Sequence, residues 1–185
     1  MFSQTWISIW SVKGLQILAG TINLSKTGIR RNVVESIPHE GYGNLLNDIA
    51  LMKLNRPLEF NDAIRPIELL TEEIPDNGEV VISGWGKVSN WGQISNALKF
   101  NTLRAINQYD CANQVGINFE GLVCLGHNQG NGACNGDSGG SALYKGKLCG
   151  VANFVYSGCG TENPDGYAKV SHYVDWINQK IKQDD

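Results

Sequence analysis

The chain has 185 residues, 15 of them lysine or arginine and 18 acidic, for a net charge of −3. That length holds one compact unit with a real core. The basic residues are scattered, with Arg30-Arg31 the one adjacent pair, which excludes the basic stripe of a nucleic-acid binder, and no apolar run is long enough to cross a membrane as a helix.

Read from the amino terminus, the first ten residues carry a short, interrupted apolar run, no basic residue before Lys13 and no small-residue cleavage site. They do not read as a secretory leader, and residues 1–13 are set apart as an atypical segment. Residues 15–19 and 32–37 read as strands, with a loop at 23–31 between them. A turn at 37–42 contains His39, and Asp48 opens a strand at 49–54. Pro57, Pro66 and Pro75 mark an irregular crossover over 56–78, where a domain boundary is placed, between 14–66 and 67–170. Strands follow at 79–86 and 98–106. Residues 141–144 and 148–154 read as a hairpin turning at Gly146. Ser171 is expected to cap a terminal helix within 171–185, with Val174, Ile177 and Ile181 on its apolar face and Asp175, Asn178, Gln179 and Lys182 in solvent. Abundant glycine (22 residues) and scarce helical periodicity favour an all-β class.

The chemistry concentrates in residues 132–143. Ser138 follows Asp137 and lies among Gly132, Gly136, Gly139 and Gly140. Glycines let backbone amides crowd a reacting atom because no Cβ blocks the approach. A serine hydroxyl held against converging N–H groups is the geometry of acyl transfer. A bare Gly-x-Ser-x-Gly is more often a plain turn, so the flanks decide. The order Ser138, Asp165, His172 matches the triad order of an α/β-hydrolase. That elbow needs a helix directly after the serine and alternating βαβ units around it; here a hairpin follows, and this reading is set aside.

A second set of motifs points elsewhere: Asn47-Asp48-Ile49-Ala50-Leu51-Met52-Lys53-Leu54, Ser83-Gly84-Trp85-Gly86, the Cys134 to Gly140 stretch, and Gly166-Tyr167-Ala168-Lys169-Val170 running into Tyr173-Val174-Asp175-Trp176-Ile177. In order and spacing these closely resemble the chymotrypsin-like serine endopeptidases, over about residues 14–181. The resemblance implies an all-β fold of two six-stranded Greek-key β-barrels with a C-terminal α-helix, the first barrel incomplete in this sequence. It implies Ser138 as nucleophile, Asp48 as the carboxylate that orients a histidine, and the N–H groups of Gly136 and Ser138 as the oxyanion hole. It implies disulfides Cys111–Cys124 and Cys134–Cys159, each worth about 3 kcal/mol, and so an extracellular, secreted setting. Cys149 is left over; it alternates with Val151 along a strand, so a buried, inert thiol is expected. Some relatives bridge the positions of Val80 and Tyr144, where packing is expected here. No cofactor and no metal are expected, including calcium in the 23–31 loop, which has no acidic residue. The implied partners are polypeptide substrates or protein inhibitors, with no nucleic acid and no membrane, and the chain is expected to be a monomer.

The resemblance also exposes departures. The family's catalytic histidine lies about 45 residues ahead of the aspartate, which from Asp48 reaches Ser3, and no histidine stands there. His39, His127 and His172 fall at other family positions and are expected to be exposed or capping residues. The family's free amino terminus, which pairs with the residue matching Asp137, has no counterpart, so Asp137 is expected to sit as in a zymogen with a poorly formed oxyanion hole. In the specificity pocket, Gly132 stands where trypsin-like members carry aspartate, and Val155 replaces a usual glycine and should narrow the mouth. Asp165 replaces another glycine. Pointing inward it would let the pocket take basic as well as apolar side chains; pointing outward it is a turn carboxylate, and the inward direction is preferred. Asn153 replaces a usual serine beside the aspartate. Three readings follow: an endopeptidase whose sequence here is truncated and inactive alone, a secreted pseudoprotease that binds partners through the old cleft, and a fragment that folds poorly. The intact serine motif favours the first.

Overall fold

The computed structural model describes residues 12–183. All of the segment set apart at the amino terminus except Val12, Lys13 lies outside them. Three strands, β1 (Gln16–Ala19), β2 (Ile29–Pro38) and β3 (Ala50–Leu54), pair antiparallel in the order β1-β2-β3 as an open sheet. This sheet brings little core of its own: Val33 is the one buried residue in its three strands, with Ile49 just before β3 and Ile64 in the crossover also buried, while Val34 and Met52 remain exposed.

The second half closes. β4 (Glu79–Gly84), β5 (Lys99–Ile106), β6 (Leu122–Gly126), β7 (Ser141–Tyr144), β8 (Lys147–Val155) and β9 (Asp165–Lys169) form a barrel in the order β4-β5-β6-β9-β8-β7, every pairing antiparallel. Alternation does the sorting: along β4, Val80 and Ile82 point into the core while Glu79 and Val81 face water. The expected hairpin is β7–β8, whose two turn residues Lys145 and Gly146 both have positive φ, as the twist-matched hairpin turn requires. Val80 and Tyr144 face each other across β4 and β7, both buried, so packing does stand where a bridge was considered. Leu70, Leu103, Leu125, Ala142, Cys149 and Tyr167 fill the centre. Cys149 is a buried free thiol that burial pushes up to about 12, and its Sγ donates to the Ala142 carbonyl at 3.2 Å. The crossover is stitched to the barrel as well, because Leu70 N–H donates to Leu148 and Leu148 N–H to Glu68, both at 2.8 Å.

Two helices complete the described residues. The short α1 (Gln108–Val115) has no counterpart in the sequence reading. It opens on Asn107, whose side chain accepts the Asp110 N–H, and closes on left-handed Gly116. The Cys111–Cys124 disulfide ties it to β6. The terminal α2 (Val170–Lys182) corrects two expectations. Lys169, not Ser171, is the N-cap, and it makes no side-chain capping bond. β9 runs straight into the helix, and wholly buried Val170 anchors the first turn in place of a cap. The buried face is Val170, Tyr173 and Ile177, with Val174 beside it; Ile181 lies one turn past the contact and is 52% exposed.

α2 also holds the segment leading to Asp48. Trp176 Nε1 donates to Glu40 at 2.8 Å, Lys180 forms an ion pair with Glu40, and Tyr173 Oη donates to Asn47 Oδ1 at 3.2 Å. The Lys180 hydrogen bond foremost holds the Glu40 carboxyl at about 2.

Candidate active site

The serine loop is built around a tight turn. Asp137 N–H donates to Cys134 O at 2.9 Å, and Gly136, inside that turn, has φ of 98°, a conformation that side chains resist. Gly140 N–H closes the next turn onto Asp137 O, and the Cys134–Cys159 disulfide pins the loop from the other side. Two bonds to β8, Gly139 N–H to Ala152 O and Ala152 N–H to Gly140 O, fix Ser138 beside that strand. Ser138 is exposed, and its hydroxyl has no hydrogen-bond partner among the described residues. The N–H groups of Gly136 and Ser138 likewise donate to nothing among the described residues. Two unspent donors on either side of Asp137, beside a free hydroxyl, form a small set of groups for receiving a developing oxyanion.

Asp137 shapes this loop from below. Its carboxylate accepts the Gly86 N–H at 2.8 Å and the Cys134 N–H at 3.0 Å. A Cβ at Gly84 or at Gly86 would overlap that carboxylate. The two glycines flanking Trp85 are therefore the seat of Asp137, a role that the sequence motif alone did not reveal.

Asn153 ties the segment before Asp48 to the strand that holds the serine loop. Ala152 is bonded to the serine loop, and the next residue, Asn153, donates Nδ2 to Leu45 O at 2.9 Å, three positions before Asp48. The Asp48 side chain is half-buried and has no hydrogen bond or ion pair among the described residues; burial pushes its carboxyl above the ordinary 3.8. Asn153 Oδ1 is also buried without a partner. Neither acceptor has a hydrogen-bond donor among the described residues.

That arrangement predicts a stability effect. A folded-state value raised above the unfolded one means the ionised carboxylate costs stability at neutral pH, and the cost vanishes as pH falls to the ordinary value of 3.8. Asp48→Asn is expected to stabilise the protein at pH 8 by less than about 1 kcal/mol, because water still screens a half-buried carboxylate, and by almost nothing at pH 4. Denaturant unfolding at both pH values measures it; equal gains at both would contradict the assignment to the charge.

The three histidines lie elsewhere. His39 packs against the rings of Tyr173 and Trp176, with centroids 5.5 and 5.0 Å away, and its Nδ1 accepts the Gly41 N–H. His172, exposed on α2, packs edge-on to Phe119. His127 corrects the expectation of an exposed or capping residue: its side chain is 2% exposed, and Nε2 lies 3.3 Å from Asp165 Oδ2. The distance is that of an ion pair, without the alignment of a hydrogen bond. The Asp165 carboxylate beside it raises the His127 pKa above 6.5, and burial works against that rise.

A cavity of about 400 Å³ adjoins the loop, lined among others by Gly132, Ala133, Cys134, Asp137, Cys159 and Tyr167. Gly132 is part of that lining. Asp165 is buried behind the wall, taking the Ala133 N–H at 2.6 Å and facing His127, and does not line the cavity. Val155 pairs with Asp165 across β8 and β9 and packs on the barrel core rather than at the cavity.

The family model for trypsin matches residues 10–177. The chain belongs to the trypsin family. Over 167 residues it is 46% identical to serine protease SP24D of Anopheles gambiae, covering 90% of this chain and 61% of that protein. It is 30% identical to a trypsin of Phaedon cochleariae, covering 98% of this chain and 77% of the relative. Among solved structures it superposes on neuropsin, a serine protease expressed in the limbic system of mouse brain, with a TM-score of 0.82 at 30% identity, covering 88% of this chain and 77% of the other. The chain thus spans about three fifths of the Anopheles protease. Its trypsin-family architecture is mostly β, with one closed barrel, a second sheet and a short terminal helix.

Within that trypsin-family frame, sequence reasoning missed the seat of Asp137 and the His127–Asp165 pair. The first had a signal, since two glycines flanking a tryptophan ask for something large between them. The second had none, because His127 follows β6 and Asp165 opens β9, and the two meet only when those strands pair.

Proposed function

We propose that this chain carries the nucleophile half of a serine endopeptidase: Ser138 attacks a peptide carbonyl, the Gly136 and Ser138 N–H groups receive the oxyanion, and Asp48 orients a histidine base that these residues do not supply. The single observation behind this reading is the free Ser138 hydroxyl flanked by two unspent N–H donors on a turn pinned by a disulfide and by Asp137. The reaction forms an acyl-enzyme ester at Ser138, releases the amine product, and hydrolyses the ester with water. The two acceptors without donors, Asp48 and Asn153 Oδ1, mark where an imidazole N–H would be received. The 185 residues alone are proposed to be inactive, the substrates to be polypeptides, with protein inhibitors as further partners, and the setting to be extracellular, in keeping with the disulfides Cys111–Cys124 and Cys134–Cys159. The chain is further proposed to divide near residue 66 into the remainder of a first barrel, 14–66, and a second, 67–170, followed by the helix and tail, 171–185.

The test is the protein as its own cells secrete it, taken through intact mass, amino-terminal sequence and hydrolysis of a denatured protein substrate. A histidine-bearing form that turns over, and stops when Ser138 is changed to Ala, supports the proposal. A form of mass 20.2 kDa that turns over at a rate normal for the family would overturn it.

A further inference from the structure

The His127–Asp165 pair has no part in the acyl-transfer steps, yet it sits directly behind Gly132, a residue of the cavity wall. A Cβ on Gly132 would overlap both His127 Nε2 and Asp165 Oδ2, and Gly132 has φ of 97°. A side chain at that position and this pair exclude one another. We propose that His127 masks Asp165, giving the side-chain pocket beside Gly132 an electrically neutral floor that admits uncharged substrate side chains and excludes cationic ones. The inference rests on reading this cavity as the substrate side-chain pocket of a serine endopeptidase.

The physical argument is one of charge at close range. An unmasked carboxylate behind Gly132 would draw an ammonium or guanidinium group into the pocket. With an imidazolium 3.3 Å from that carboxylate, the pair carries no net charge, and an entering cation meets repulsion from His127 along with attraction to Asp165. The buried setting makes both terms stronger than in water. His127 is thus a positioning residue, acting through Asp165 and touching no substrate.

The mask depends on a proton. Loss of the His127 proton leaves the pair with a net negative charge, so the pocket should accept cations better as pH rises. Other titratable groups around the pair are Tyr167, on β9 with Asp165, then Asp137 and Cys149, whose charges also reach Tyr167; Lys87 and Lys99 also line the cavity. Burial holds the Tyr167 phenol well above its ordinary value and the Cys149 thiol at about 12, so neither ionises in the range at issue.

The experiment titrates the full chain calorimetrically with benzamidine, a cation over the whole range, and with benzamide, its neutral counterpart of the same shape. In the unaltered protein at pH 6, benzamide should bind at least as tightly as benzamidine. Benzamidine binding should tighten about tenfold or more from pH 6 to pH 9, while benzamide binding stays level. His127→Gln, which keeps bulk and removes the charge, should bind benzamidine about tenfold tighter at pH 6 and lose the pH slope; adding Asp165→Asn should reverse the gain. Benzamidine binding that is level with pH in the unaltered protein overturns the proposal, and that profile needs no variant to fold. Binding of neither probe at millimolar concentration overturns the pocket assignment beneath it, while labelling of Ser138 by an active-site reagent tests the acyl-transfer reading separately.

Discussion

The 185-residue chain is expected to cleave peptide substrates about 10⁶-fold more slowly than it would with a base at Ser138, judged from the loss when the histidine of another serine protease, subtilisin, is removed. Each histidine is committed elsewhere: His39 between the rings of Tyr173 and Trp176, His127 to Asp165, and His172 on the solvent side of α2. A sharper consequence follows from the way triad members act as a unit. Once the base is missing, the serine contributes almost nothing further, so Ser138→Ala should leave the small residual rate unchanged. A tenfold or larger drop on Ser138→Ala would show that some group is already deprotonating the hydroxyl. Hydrolysis of a chromogenic peptide ester by the two proteins makes the comparison.

Gly86→Ala is expected to destabilise the protein by about 2–3 kcal/mol, the combined cost of overpacking and of disturbing a buried polar contact, lowering Tm by roughly 5–10 °C for a chain of this size. The methyl group would overlap the Asp137 carboxylate, which cannot retreat without losing the N–H groups of Gly86 and Cys134. The effect should reach the serine loop, since Asp137 also closes two turns with its own N–H and C=O. Pairing the change with Asp137→Ala removes the object of the clash, so the double variant should lose less than the sum of the two single losses. Additive losses would mean that Gly86 matters for some reason other than making room for Asp137. Thermal unfolding of the four proteins completes the cycle.

Strands β4, β5 and β7 were legible because their buried and exposed residues alternate, and β8 because it follows the glycine-marked turn at Gly146; β6 and β9, buried along four consecutive residues each, carry no such alternation and were not read as strands. The serine loop was legible for the same reason that it is chemically useful: glycine clusters announce backbone that must come close to something. Helix α1 escaped notice because it is only eight residues long with two buried positions, although Asn107 and Gly116 are recognisable caps in hindsight. Ile181 was placed on the buried face by periodicity alone, and periodicity cannot tell where the surface it packs on ends. Asp165 shows the limit most clearly. Its place in the pocket segment was legible, but its burial behind the cavity wall and its partner were not, because His127 arrives from the loop after β6 and the contact exists only once the barrel has closed.

The most direct test of the account is titration of the chain with an organophosphonate active-site probe, with the labelled residue located by peptide mass spectrometry. The account predicts labelling at Ser138 that is slower by about 10⁶-fold than in a family member with its base in place, so that almost none accumulates on the timescale of ordinary active-site titration. Rapid, stoichiometric labelling of Ser138 would contradict it, because it would mean that the chain already holds a working base.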